Sequence, residues 1–188
     1  TIMQTPNNIE IYLKHIEDIC GGEGEFFNIS ENDHLPVTIV SYADIPQQGS
    51  TTSFSFGLSS IVHPEWVNSR PELVLSVDSA DTAWPLAMGE LIRNGRERDL
   101  FSYGTILHFG QPVSDESPMS SFLVFACTVL DESDISVELN DRKVHLSQIY
   151  PIHESEASII REVGPEKFIQ DLGAEVFNVK RAARVGSN

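Results

Sequence analysis

Residues 121 to 130 read SFLVFACTVL, an almost unbroken apolar run. A membrane-spanning helix needs about 20 apolar residues, so this run is too short to cross a bilayer as a helix. A strand with one solvated face alternates apolar and polar residues, whereas a continuous apolar run is typical of a strand covered on both faces. We therefore predict that this segment is a central strand of a sheet, buried on both sides.

Several further segments are predicted to be strands, and in two of them, TSFSFGL and PELVLSVDS, inward-facing apolar residues alternate along the chain. In one of them Leu73 and Leu75 point toward the core. A further pair of strands forms a hairpin with Asn140 and Asp141 in its turn. The predicted segments are VTIVSYADI (37–45), TSFSFGL (52–58), PELVLSVDS (71–79), YGTILHFG (103–110), and the hairpin strands ISVEL (135–139) and RKVHLSQI (142–149).

An amphipathic helix is predicted near the N-terminus, in TPNNIEIYLKHIEDICGG. We expect Thr5 to be its N-cap and Pro6 its first helical residue, because proline is favoured at that position. Gly21 and Gly22 end it. Two further short helices are predicted near the C-terminus, in HESEASIIREVG (153–164) and in PEKFIQDLG (165–173).

The segment AWPLAMGELI, residues 83 to 92, predicts the start of another helix. Proline disfavours helical geometry in the residue that precedes it, so the helix should start at or very near Pro85. Its apolar stripe has helical spacing and is expected to be structural core, with the indole packed on the sheet. That stripe contains Trp84, Met88, Leu91 and Ile92.

Strands and helices that mix without regular alternation predict the α+β class, with one largely antiparallel sheet and helices packed on it. We expect a single domain over residues 1–179, since neither a linker nor a repeat interrupts it. Residues 180–188, which are small and basic, predict a flexible tail.

Charge is the first property that bears on function. Twelve basic and 28 acidic residues give a net charge of −16. Before Arg70 the chain has Lys14 as its single basic residue and nine acidic ones. Nucleic acid is a poor partner for such a surface, whereas a basic protein would be steered toward it. Solubility alone would also account for the charge.

No motif in the sequence has the spacing of a specific active site. GGEG (21–24) follows a helix, which is the reverse of a phosphate-binding loop. FGLSS (56–60) lacks the glycine of a nucleophile elbow. The histidines contain no metal-binding pair, so we expect no metal, no cofactor and no enzymatic activity; they are His15, His34, His63, His108, His145 and His153.

Cys20 and Cys127 lie far apart and predict neither a disulfide framework nor a zinc site. With no signal peptide and no membrane segment in the sequence, we expect a cytoplasmic protein. The best candidates for contact with a partner are the acidic loops that carry Asp44, Asp115 and Glu116, although ordinary solvated loops would have the same composition. If these loops bind, reversing the charges at 115 and 116 should weaken binding and leave the melting temperature nearly unchanged.

Five segments in a characteristic order carry a resemblance to a known family. They are TSFSFGLSS, PELVLSV, WPLAMGELI, YGTILHFGQPV and LSQIYPIHESE, and together they span about residues 36–170. In this order they resemble the suppressor of fused family in its bacterial form.

The resemblance implies a suppressor-of-fused-like fold and a binding domain without catalysis. Animal members sequester transcription factors by gripping a short peptide in a cleft, with an additional C-terminal domain. Bacterial members resemble immunity proteins that silence a cognate toxin, and many such toxins are nucleases with basic surfaces. The resemblance thus favours a toxin-neutralising immunity protein, with a peptide-binding regulatory module as the alternative.

Overall fold

The computed structural model describes residues 4–29 and 35–186. Four α-helices lie in these residues: α1 (Asn8–Cys20), α2 (Ala83–Gly95), α3 (Ala157–Val163) and α4 (Pro165–Leu172). Eight strands accompany them: β1 (Glu25–Asn28), β2 (Thr38–Ala43), β3 (Thr51–Phe56), β4 (Arg70–Val77), β5 (Ile106–His108), β6 (Ser121–Ala126), β7 (Ser136–Glu138) and β8 (Lys143–Ile152). Short 3₁₀ helices cover Glu132–Asp134, Glu154–Glu156 and Gly173–Phe177.

All eight strands belong to one sheet in the order β1-β2-β3-β4-β8-β6-β5, with β7 paired to β8 beside that path. The β4–β8 pair is parallel and the other pairs are antiparallel. The predicted α+β class, a single domain with a mostly antiparallel sheet and packed helices, is confirmed. Strand β1 is not among the predicted strands.

Strand β6 is covered on both faces, as its apolar run predicts. Leu123 and Val124 are both fully buried and belong to clusters on opposite sides of the sheet. It is an interior strand of the sheet, paired with β8 on one side and with the short β5 on the other. The centre is the pair β4 and β8, since β8 is ten residues long and contacts three strands.

Helices cover both faces of the sheet and make three layers. Helix α2 packs on one face over a cluster that contains Leu73, Leu75, Trp84 and Met88, with Leu91 partly buried at its margin. The opposite face carries α1 over β2–β4 and the α3–α4 pair over β6 and β8. None of the helices in the described ranges combines the length and apolar content that a bilayer crossing requires.

Helix α1 begins later than predicted, and its N-cap is Asn7 rather than Thr5. The Asn7 side chain accepts a hydrogen bond from Glu10 N at 3.0 Å, and Glu10 Oε2 accepts one from Asn7 N at 2.8 Å. This reciprocal capping box satisfies two amides at once, which Thr5 cannot do from two residues upstream. Pro6 therefore precedes the cap. Gly21 ends the helix in the left-handed conformation, as predicted.

Helix α2 begins at Ala83, two residues before Pro85. The Asp81 carboxylate accepts a hydrogen bond from Ala83 N at 2.9 Å, which satisfies an amide of the first turn. Pro85 still lies within that turn, where a missing N–H costs nothing. Trp84 is thus a helical residue, despite the proline that follows it.

The C-terminal segment is attached to the domain as far as Arg184, so the prediction of a flexible tail from residue 180 does not hold for its first residues. Arg181 is 6% exposed, and its guanidinium pairs with Glu156, which is fully buried, at 2.7 and 2.8 Å. The amide of Arg184 donates to the same carboxylate at 2.9 Å.

Candidate functional site

Asp44 shapes the loop between β2 and β3. Its φ is 59°, in the left-handed region that Asp tolerates better than most residues. Its carboxylate accepts a hydrogen bond from Gly49 N at 2.8 Å, and its own amide donates to Ser50 O at 2.7 Å. Asp44 is exposed. The side chain is therefore available to a partner and at the same time holds its own loop.

Asp115 and Glu116 face different environments, although they are adjacent in the loop after β5. Asp115 is exposed. The side chain of Glu116 is only 27% exposed, and it lies 3.7 Å from Lys180 Nζ. Glu116 also accepts a hydrogen bond from Trp84 Nε1 at 3.2 Å and another from the Ser79 hydroxyl. Asp115 is thus a surface group and Glu116 is a structural one.

The segment that follows β4 brings the two loops together. Ser50 donates to Asp78 Oδ1 at 2.6 Å, which ties the Asp44 loop to this segment. Ser114 donates to Asp81, which ties the second loop to it. One end of the sheet therefore carries a group of carboxylates that we call the acidic end, consisting of Asp44, Asp78, Asp81, Asp115 and Glu116.

We expect the adjacent acids Asp115 and Glu116 to differ in their effect on stability. Glu116→Lys leaves the buried indole N–H of Trp84 without its acceptor, and such a loss costs about 1–3 kcal/mol. In a domain of this size that corresponds to a drop of about 2–12 °C in the melting temperature. Asp115→Lys should change it by less than about 2 °C.

Thermal melts of both single variants test this difference, with the wild-type protein as reference. The sequence analysis expects that reversing both charges leaves the melting temperature unchanged. The contacts of Glu116 with Trp84 and Ser79 correct that expectation, because it treats Glu116 as a surface residue. Equal melting temperatures for the two variants would contradict the structural role of Glu116.

One serine, histidine and carboxylate cluster lies outside the acidic end, but it does not have the geometry of a hydrolytic triad. Ser121 donates directly to Glu154 at 2.6 Å. His108 Nδ1 lies 3.3 Å from Ser121 Oγ and 3.2 Å from Glu154 Oε1. In a triad the imidazole bridges serine and acid through its two different nitrogens. Here the same nitrogen, His108 Nδ1, contacts both groups. Hydrogen bonds from Ser121 and then His108 lower the pKa of Glu154.

Ser59 and the two cysteines lack the environment of a reactive nucleophile. Ser59, in the FGLSS segment, donates its amide to the buried Glu72 at 2.9 Å. Burial raises the pKa of the Cys20 thiol to about 11 and also raises that of Cys127, which disfavours a reactive thiolate. The described part of the chain contains no group of three or more His, Cys, Asp or Glu residues placed to hold a metal ion.

Asp78 and Asp81 are site residues that the sequence analysis misses. They follow the strand PELVLSV directly and precede the Trp-Pro helix start. Acidic residues between the end of a strand and the start of a helix are a signal that could have placed them at a sheet end. Asp81 accepts a hydrogen bond from the first amide of α2, and hydrogen bonds from Ser114 and then Ala83 lower its pKa.

The molecule is thus a three-layer α+β domain that carries the acidic end at one end of its sheet. The suppressor of fused protein (SUFU) family model matches residues 33–182. Since this match covers most of the chain, the chain belongs to the suppressor of fused family.

Solved structures of family members share the fold. A suppressor of fused homologue from Neisseria gonorrhoeae superposes with a TM-score of 0.73 at 15% identity, over 96% of this chain and 98% of that one. Suppressor of Fused from Drosophila gives 0.68 at 14% identity, over 94% of this chain and 51% of that one. This chain therefore corresponds to about half of the Drosophila protein.

A third similar structure is a Sufu-Fu complex. It superposes with a TM-score of 0.69 at 14% identity, over 96% of this chain and 93% of that one. No curated protein matches the sequence.

Proposed function

We propose that this chain is a non-catalytic protein-binding domain that acts as an immunity protein, neutralising a cognate toxin with a basic surface. The observation that carries the proposal is the acidic end, where two loops far apart in the sequence converge on Asp78 and Asp81. Family membership supports protein binding, since one relative has been solved as a Sufu-Fu complex. We place the protein in the cytoplasm, where the free Cys20 and Cys127 stay reduced.

Electrostatics explains how such an edge would inhibit a basic toxin. A surface of one sign raises the encounter rate with the opposite sign by about 10- to 1,000-fold. A toxin that acts on nucleic acid presents a basic groove, and clustered carboxylates compete with the polyanion for that groove. Asp115 is best placed to contact the partner, because no hydrogen bond or ion pair within the described residues engages its side chain.

We expect the acidic end to control the association rate with the toxin. The double variant Asp44→Asn/Asp115→Asn should associate about tenfold more slowly at low salt. Asn at 44 keeps the acceptor for Gly49 N and the tolerance of a positive φ, so the loop survives. The wild-type rate should fall as salt rises, because screening shortens to about 8 Å near physiological ionic strength.

The first step is to identify a toxin domain among the products of the genes beside this one. That domain is then co-expressed to score growth and purified to measure rates. Glu132→Gln/Glu162→Gln is the matched control, because it removes two exposed charges elsewhere. An acidic partner with a salt-independent rate would contradict the electrostatic argument. Tight binding of DNA or RNA by this chain would contradict the proposal as a whole.

The second candidate function is a regulatory module that binds a peptide by strand addition, and the edge of the sheet favours it. Strand β5 pairs with β6 on one side and with no described strand on the other. A groove of about 490 Å³ lies between β5 and α2. Peptide binding there would slow hydrogen exchange at Ile106–His108, whereas binding at the acidic end would slow it at residues 110–118.

A further inference from the structure

Strand β1 forms one edge of the sheet. It pairs with β2 on one side, and no described strand lies on its other side. An edge strand carries a row of unpaired backbone groups, which another extended segment can join. Natural sheets protect such edges with short strands, bulges, lysine or proline. Strand β1 is short, but its sequence EFFN contains neither lysine nor proline.

The register with β2 identifies the backbone groups of β1 that point away from the sheet. Ile29 N donates to Val37 O at 3.0 Å, so these two residues form a hydrogen-bonded pair of the antiparallel ladder. Such pairs recur at every second residue, so Phe27 also bonds to β2. The N–H and C=O groups of Phe26 and Asn28 therefore point outward. These two donors and two acceptors have no hydrogen-bond partner within the described ranges.

The side chains of this edge are apolar on one face and acidic on the other. Phe26 is 50% exposed and lies opposite Val40, on the face of the sheet that carries α1. Glu25 points to the other face, because successive side chains of a strand alternate. Glu25 and Glu23 are exposed, and neither has an ion-pair or hydrogen-bond partner among the described residues.

The acidic end adjoins the start of β1. Strands β1 and β2 are antiparallel, so β1 begins where β2 ends, and Asp44 directly follows β2. The negative field that attracts a basic partner therefore extends to the first residues of β1. The same field repels a second copy of this chain, since each copy carries a net charge of −16. The edge thus favours a basic segment and opposes self-association.

We propose that β1 binds an extended segment of the protein partner by strand addition, and that apolar residues alternate with lysine or arginine in this segment. The proposal rests on the proposed function, because the segment belongs to the toxin. An apolar residue opposite Phe26 bonds to its backbone and packs on its ring, since paired residues share a face. The next residue of the segment faces Glu25, where a basic side chain is favoured. The site lies at the opposite edge of the sheet from β5.

The probe is the peptide acetyl-Lys-Val-Lys-Val-Lys-amide, which is titrated into the full chain while NMR follows amide hydrogen exchange. At saturation we expect the amides of Phe26 and Asn28 to exchange about tenfold or more slowly, because they gain acceptors. The amide of Phe27, which is already bonded to β2, should change little. The acidic peptide acetyl-Glu-Val-Glu-Val-Glu-amide should not bind.

N-methylation of the peptide separates strand addition from simple attraction between charges. In the proposed register only the valine amides face β1, because the direction of hydrogen bonding alternates along a strand. Methylation of both valine nitrogens should abolish binding. Methylation of two lysine nitrogens, with the same net charge, should leave the affinity close to that of the unmodified peptide.

Proline at position 26 makes the same test from the protein side. The N–H of Phe26 takes no part in the β1–β2 ladder, so Phe26→Pro removes an outward donor and keeps the sheet. It should bind the peptide about two- to tenfold more weakly than Phe26→Val, which also lacks the ring but keeps the N–H. Thermal melts check that both variants stay folded.

Charge variants test the acidic face of the edge. Glu23→Gln/Glu25→Gln should weaken binding of the lysine peptide about two- to tenfold. The control Glu132→Gln/Glu162→Gln removes the same net charge elsewhere and should bind the peptide like wild type.

Several outcomes would overturn the proposal. The site is wrong if the peptide protects neither Phe26 nor Asn28, or if it protects Ile106 and His108 of β5 instead. Strand addition is wrong if the two methylated peptides bind equally. A dimer that protects Phe26 and Asn28 without peptide would identify a second copy as the occupant.

Toxin neutralisation distinguishes this proposal from the proposed function. If Phe26→Pro loses the peptide but neutralises the toxin as Phe26→Val does, β1 is not the contact and the proposed function stands. If the peptide binds as expected and the protein neutralises no toxin, the proposed function fails and the strand-addition site remains.

Discussion

Replacing Arg181 by methionine is expected to lower the free energy of unfolding by about 3–5 kcal/mol. The guanidinium donates two hydrogen bonds to Glu156 and one to Ala182 O, and the Glu156 carboxylate is fully buried. Methionine fills much of the volume but leaves that charge without its counter-ion. Urea unfolding measures the loss. The double variant Arg181→Met/Glu156→Gln should recover part of it, because it removes the unpaired buried charge.

The pH dependence of the free energy of unfolding is an independent test of the Arg181–Glu156 ion pair. Burial would raise the pKa of Glu156, but hydrogen bonds from Arg181 and the amides of Arg184 and His153 outweigh it and hold the pKa below its ordinary value of 4.5. A lowered carboxyl pKa stabilises the fold above that value, and the contribution is lost as the pH falls. The difference between wild type and Arg181→Met should therefore shrink below pH 4.5. A constant difference down to acid pH would contradict the ion-pair explanation.

Trp84→Ala is expected to cost about 3–5 kcal/mol, the usual loss for a buried large aromatic residue. The indole is fully buried and packs edge-on against Phe122, with ring centroids 6.2 Å apart. Such a loss is a large part of the roughly 5–15 kcal/mol that stabilises a domain. Trp84→Phe should cost less, because it keeps an aromatic ring in the cluster, although it removes the bond to Glu116 and part of the buried ring volume. Urea unfolding measures both.

Trp66 is the matched control, since it is the other of the two tryptophans in the chain and is only partly buried. Its Nε1 donates to Leu100 O at 3.2 Å from a surface loop. Trp66→Ala should cost about 1 kcal/mol. If Trp84→Ala instead folds with wild-type stability and loses its partner, Trp84 is an interface anchor and its assignment to the core is wrong.

Most of the strands can be predicted because alternation is a local property. Strand β3 shows it clearly, and β2 and β4 are long enough in apolar residues to be recognised without reference to a neighbour. Strand β1 cannot be found this way: it has four residues, and the adjacent Phe26 and Phe27 break any alternation. The predicted N-cap of α1 is wrong because Thr5 and Asn7 are both residues that cap helices well. Only the reciprocal hydrogen bonds between Asn7 and Glu10 distinguish the two.

The candidate site could be predicted only in part. Local composition indicates that Asp44 and Asp115 lie in exposed loops. It cannot show that both loops meet at Asp78 and Asp81, because that proximity depends on the order of strands in the sheet. Glu116 is the sharpest case, since the inward turn of its side chain depends on an indole N–H more than 30 residues away in the chain.

The family segments FGLSS and PELVLSV owe their pattern to packing. Gly57 has a φ of 136°, and a Cβ there would lie 2.5 Å from Pro36 O. Its amide and that of Ser59 donate to Glu72, a buried carboxylate on β4. Burial raises the pKa of Glu72. These residues close a turn, so their presence identifies the fold and not a binding surface.

The parallel pair β4–β8 has a consequence for biosynthesis. It sets residue 70 opposite residue 144, and it is the one connection in the described sheet between strands β1–β4 and strands β5–β8. While the ribosome makes the intervening residues, β4 presents an apolar, unpaired edge. Contacts this distant form slowly, and unpaired apolar edges favour aggregation. We therefore expect the nascent chain to be most prone to aggregation before β8 emerges.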